Sequence, residues 1–121
     1  MNIAELQQMA HAQARQKGWY QGHDAAGTPN GRNIPELLAL AHSELSEALE
    51  CYREHGARVD KMIIHDGDVH TKPEGLLIEL ADCVIRIGDL AEYLGGDLEA
   101  AILLKLRHNE TRTHRHGGLL A

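Results

Sequence analysis

Two short acidic pairs are the residues of this chain best suited to chemistry. Glu79-Leu-Ala-Asp82 sets two carboxylates three residues apart inside the most apolar stretch, Pro73 to Gly95. Glu44-Leu-Ser-Glu47 repeats that spacing earlier in the sequence. On a helix, residues three apart lie about 60° from each other around the axis, so each pair can aim both carboxylates at one point. Two such helices side by side would gather four carboxylates. Clustered anions repel and are costly to desolvate, and a divalent cation offsets both terms. Oxygen donors without His or Cys favour Mg²⁺ or Mn²⁺ over Zn²⁺. Mg²⁺ also keeps waters and takes substrate phosphates as its remaining ligands. A di-iron carboxylate bundle is excluded, because it needs Glu-x-x-His pairs. The plainer use of these acids is ion pairing, with Arg86, four residues beyond Asp82, as the obvious partner. Glu79 argues for more than that, since Ile78 and Leu80 flank it on a helix with two apolar faces.

Cations suited to an anionic ligand lie near the other end. Lys105, Asn109 and Arg112 recur at four- and three-residue spacing, and His116 follows before Gly117-Gly118. Lys and Arg bind phosphate oxygens, and Asn can hydrogen-bond phosphate, sugar or base. Trp19 sits in a Gly-rich segment, where it can stack on a nucleobase or pin the segment to the core.

Helices must position these groups. Residues 2 to 17 place Ile3, Leu6, Met9 or Ala10, and Gln13 or Ala14 at helical spacing, with Gly18 as a stop. Residues 18 to 33 carry Gly18, Gly22, Gly27, Pro29 and Gly31 and read as loop. Ile34-Pro35 opens a helix running to about His55, ended by Gly56. Its expected inward stripe is Leu37, Leu38, Ala41, Leu45, Ala48, Leu49 and Tyr52, with Glu44 at the edge. Residues 57 to 72 lack periodicity and suggest a loop with a short strand or turn at Met62 to Ile64. Thr71-Lys-Pro-Glu74 has capping-box spacing for a third helix from about Pro73 to Leu94. Its expected core stripe is Leu76, Leu77, Leu80, Val84, Ile87 and Ala91, joined by Cys83 and Leu94; Ile78 and Ile85 fall opposite, where another subunit, or a lid from the same chain, would cover them. Asp97 caps a fourth helix to about Thr113, with Ala101, Leu103 or Leu104, and Leu106 inward, before a tail.

The expected fold is therefore all-α, a small bundle of about four helices completed by oligomerisation. Composition agrees: apolar residues make up 43% of the 121, yet there is no Phe and one Trp. The length suits a single domain, 1–121. Within it, 1–32 holds the first helix and Gly-rich loop, 33–113 the helices with the chemistry, and 114–121 the tail. The net charge of −6 combines an acidic centre with a basic C-terminal arm. That distribution suits a metal-bound phosphate better than a duplex backbone, so no nucleic-acid polymer is expected. Cys51 and Cys83 read as reduced core thiols, and no secretory or membrane-spanning run is evident. The expectation is a cytoplasmic protein with no membrane partner.

In order, Glu44-x-x-Glu47, Lys72-Pro-Glu-Gly75, Ile78-Glu-Leu-Ala-Asp82-Cys-Val-Ile-Arg86 and Lys105-x-x-x-Asn109-x-x-Arg112-x-x-x-His116-Gly-Gly118 resemble the MazG-like all-α nucleoside triphosphate pyrophosphohydrolases. The resemblance covers roughly residues 33 to 118. It implies a Mg²⁺-dependent enzyme (Mn²⁺ also serving) that cleaves a nucleoside triphosphate between the α and β phosphates. The products would be the monophosphate and pyrophosphate. It assigns Glu44, Glu47, Glu79 and Asp82 to the metal, one glutamate also serving the attacking water. Lys105, Asn109, Arg112 and His116 match substrate-contacting positions, and Trp19 becomes a base-stacking candidate. It also implies a homo-oligomer, dimer or tetramer, with sites partly shared between subunits. One departure is Leu119, where the family often has Lys after the Gly pair.

Two other readings compete. His65-Asp66, with Asp68 and His70 close by, prompts an HD-type metal phosphohydrolase. A non-catalytic helical oligomerisation or regulatory module would use the acids for salt bridges alone.

Overall fold

The computed structural model describes residues 1–20, 32–59 and 73–112. Four helices account for most of them: α1 (Ile3–Gln16), α2 (Ile34–His55), α3 (Leu76–Tyr93) and α4 (Leu98–Thr111). No strand occurs among the described residues. The protein is an all-α bundle in which α3 lies between α1 and α2, and α4 touches α1.

Local chemistry sets the helix boundaries. Asn2, Asn33 and Asp97 each accept a hydrogen bond from a backbone N–H in the first turn of α1, α2 and α4, at 2.8, 3.1 and 3.0 Å, satisfying donors that a helix start leaves open. α1 ends where Gly18 takes φ +81°. There the Gly18 N–H bonds Arg15 and the Trp19 N–H bonds Ala14, both at 3.0 Å, a Schellman closure that glycine makes inexpensive. That turn fixes the exit direction of Trp19 and Tyr20.

One buried side chain ties three helices together. The Gln7 amide donates to Glu92 Oε2 at 2.7 Å and to the Gly96 carbonyl at 2.6 Å, while its oxygen accepts from the Leu98 N–H at 3.1 Å. α1 is thereby locked to the end of α3 and the start of α4. One turn along, α1 comes close to α3 at Gly88, where a Cβ would meet Gln7 Cα at 3.5 Å and Ala10 Cβ at 3.6 Å. Ala fits there, and anything larger forces the helices apart.

The faces differ from the sequence expectation. On α2 the buried positions are Leu37, Glu44 and Ala48, while Leu38, Leu45, Leu49 and Tyr52 are exposed. On α3 the buried side chains include Glu79, Cys83, Asp89 and Leu90, while Leu77, Leu80, Val84 and Ile87 are exposed. Much of the stripe expected in the core is thus outward, while Cys83 on α3 and Leu37 and Ala48 on α2 are buried as expected. Ile85, expected opposite that stripe, is exposed as well, and Ile78 is half-buried. The inner seam instead uses small residues and carboxylates, which let α2 and α3 approach closely. α4 buries nothing in the single chain; Ala101, Leu103, Leu104 and Leu106, expected inward, are exposed. α3 starts at Leu76 with Gly75 as its cap residue and no side-chain cap bond. Glu74 precedes the helix rather than entering its first turn. Thr71 and the expected Met62–Ile64 strand or turn lie outside the described residues, as does the tail.

Candidate metal centre

The α2–α3 seam brings the acids together. α2 presents Leu37, Ala41, Glu44, Ala48 and Cys51 toward the inside at alternating four- and three-residue steps, the period of a close-packed helix pair. Cys83 of α3 lies 3.5 Å from the Ala41 carbonyl, one helical turn from Glu44. With such small neighbours, the carboxylates of Glu44, Glu79 and Asp82 converge, one oxygen from each lying within 4.8 Å of the others. Glu44 and Glu79 are only 6% and 7% exposed, and Asp82 is half-buried. Among the described residues these three form the one group of acids, histidines or cysteines placed to share an ion. Three oxygen donors from two helices could hold a metal ion.

Glu47, the fourth acid of the motif, is exposed and falls outside this trio. It sits on the rim and lines a cavity on either side. One, of about 290 Å³, is bounded by Trp19, Glu44, Glu47, Asp82, Arg86 and Asp89, with Ala10 and Ile85. The other, of about 230 Å³, is bounded by Glu47, Glu50, Glu54, Glu74 and Glu79, with Cys51, His55 and Gly75.

Arg86 enters the first cavity and chooses a partner across the seam. Its Nε donates to Glu44 Oε1 at 2.6 Å, and its guanidinium lies 5.4 Å from the centre of the Trp19 ring. The ion-pair use of these acids is therefore realised at Glu44, on the neighbouring helix. Trp19 is 46% exposed and forms a wall of the cavity, while Tyr20, 3% exposed, anchors the segment to the core.

Behind Trp19 lies a polar knot that the sequence reading did not pick out. Tyr20 donates to Asp89 Oδ1 at 2.7 Å, and His11 Nδ1 lies 2.9 Å from the same oxygen. The rings of His11 and Tyr93 pack on Tyr20, with centroids 4.9 and 5.3 Å away. Asp89 follows Asp82 by seven residues, which puts it on the same helix face; that spacing was the available signal. Burial, reinforced by the bond to Asp89 and the charge on it, pushes the Tyr20 phenol above its ordinary range.

The expected substrate residues of α4 stand elsewhere. Lys105, Asn109 and Arg112 are exposed and line neither acid cavity. Lys105 instead borders a shallow depression with Ala101, Leu104 and His108. His116 and the His65, Asp66, Asp68 and His70 group lie outside the described residues. No family model, curated protein or solved structure matches the chain significantly.

The Tyr20–Asp89 contact has a pH signature. Because the folded state raises the phenol's pKa, the contribution is complete below the ordinary phenol value and is lost as pH climbs above it, near 10. Tyr20→Phe should cost about 1–3 kcal/mol of unfolding free energy at neutral pH, as a buried bond to a carboxylate is lost. It should also flatten the decline in stability above about pH 10. Urea unfolding at both pH values checks this, and an equal alkaline decline in both proteins would contradict it.

Proposed function

We propose that this protein is a Mg²⁺-dependent nucleoside triphosphate pyrophosphohydrolase, as the MazG-like resemblance of its motifs implies. The observation that carries the reading is the convergence of Glu44, Glu79 and Asp82 within 4.8 Å. Buried carboxylates at that spacing repel unless a cation sits among them. Those three would hold the metal, which when bound would polarise the phosphates and neutralise developing charge. Glu47, on the rim and accessible, is the glutamate placed to orient or deprotonate the attacking water. Trp19 offers an exposed aromatic face to a base on the same cavity wall. The non-catalytic module also has an observation in its favour, the Arg86–Glu44 ion pair. That pair concerns Glu44, whereas the metal reading addresses the convergence of all three carboxylates.

The outward stripes support a homo-oligomer. Leu77, Leu80, Val84 and Ile87 repeat at three- and four-residue steps on an exposed face of α3, and α2 adds Leu38, Leu45 and Leu49. Such faces on a chain this small suit a second copy. A partner would also give α4 something to pack on, bringing Lys105, Asn109 and Arg112 to a shared site.

Two outcomes follow. Incubated with Mg²⁺ and a panel of canonical and damaged nucleoside triphosphates, the protein should release pyrophosphate from at least one. Glu79→Gln should lower that rate by about 100-fold or more, at or beyond the loss typical of residues that only support a metal ligand. Release from no substrate would sink the enzyme reading, and undiminished release by Glu79→Gln would sink the site. By light scattering the wild-type chain should be a dimer or larger, and Leu80→Glu combined with Val84→Glu should shift it toward monomer. A monomeric wild type would remove the oligomer from the account.

A further inference from the structure

Arg86 stands where a metal ion would be expected to act. Of the described residues lining its cavity, Glu44, Glu47, Asp82 and Asp89 are acidic and Arg86 is the one cation. Its Nε lies 2.6 Å from Glu44, whose side chain is 9% exposed, while the Arg86 side chain keeps 25% of its surface open. A carboxylate that buried needs a positive partner. A divalent ion taking Glu44 as a ligand competes with Arg86 for that carboxylate, whose Oε1 Arg86 engages. The two cannot both be satisfied at short range without placing like charges together.

We infer that Arg86 is an exchangeable counter-ion. It neutralises Glu44 until a divalent cation claims that carboxylate, and the displaced guanidinium then serves as the cavity's binding group for the ligand's phosphates. This rests on the metal-dependent reading of the site and assigns Arg86 a ligand-binding role within it. The exchange explains why a cavity with four acids can admit a polyanion. Before metal binds, Arg86 is committed to Glu44. After it binds, two charges arrive on the carboxylates and one is freed for the ligand. Trp19 is in position to report the change. It is the single Trp of the chain, and its ring lies 5.4 Å from the Arg86 guanidinium carbon. A planar guanidinium can hold such a stack and offer paired N–H groups to phosphate, which an ammonium cannot do.

The test compares wild type, Arg86→Met and Arg86→Lys, each first checked for helical content by circular dichroism. Mn²⁺ binding, measured at pH 8 by paramagnetic resonance of the free ion, should be about tenfold tighter in Arg86→Met, a change of about 1.4 kcal/mol. Arg86→Lys, which keeps the charge and loses the Nε contact, should fall between the other two and serves alone if the Met variant does not fold. Mg²⁺ titration should move Trp19 emission in wild type and leave it largely unmoved in Arg86→Met. With Mn²⁺ saturating, an α,β-methylene nucleoside triphosphate should bind more weakly to Arg86→Met than to wild type. Folded variants that bind Mn²⁺ no more tightly than wild type would overturn the exchange while leaving the metal site standing. Absence of Mn²⁺ binding from all three proteins would overturn the metal site and the exchange together.

Discussion

The structure turns on the burial of carboxylates between α2 and α3. Glu44 and Glu79 are nearly as inaccessible as the alanines of the core, and Asp82 completes a cluster with them. Removing such groups from water is among the costlier things a small fold can do, and the cost is tolerable only with compensating charge or hydrogen bonds. Arg86 supplies part of it, from α3 across to α2. A salt bridge of this kind is weak evidence for stability, because packed apolar residues would serve a bundle as well or better. Its placement makes more sense as preparation for a cation than as a strut.

The remaining elements hold this seam in shape. Tight passage of α1 over Gly88 and the three bonds of Gln7 fix α1 against α3. The Schellman turn at Gly18 then delivers Trp19 to the cavity wall and Tyr20 to the interior. Tyr20, His11 and Asp89 form a second polar cluster behind the first. Asp89 is held by Tyr20 and His11 from within the fold, whereas Glu44 is held by a partly exposed arginine. That contrast separates a structural carboxylate from one that is poised to change partners.

Much of the scaffold was legible from residue types. The bounds of α2 at Ile34 and His55, the stop at Gly56 and the cap at Asp97 all follow from local backbone chemistry, which acts within a few residues. The convergence of Glu79 with Asp82 follows from their i, i+3 spacing, whereas the same spacing on α2 buries Glu44 and leaves Glu47 on the rim. What misled was the choice of face. Leu77, Leu80, Val84 and Ile87 make a more apolar stripe than Glu79, Cys83 and Asp89, yet the latter face inward. Hydrophobic periodicity locates a face without saying what covers it, and a helix with two such faces leaves the choice to tertiary packing. The same ambiguity misassigned α4, whose leucines lie exposed in the single chain. Asp89 escaped notice because its partners, His11 and Tyr20, are remote in sequence.

The central claim is that the buried acids form a cation site, and a crystal structure of Mn²⁺-soaked protein tests it most directly, through the anomalous signal of the ion. The account predicts Mn²⁺ at the α2–α3 seam, ligated by Glu44, Glu79 and Asp82, with the Arg86 guanidinium moved off Glu44. A seam without metal, with Arg86 still bonded to Glu44 at saturating Mn²⁺, would contradict it.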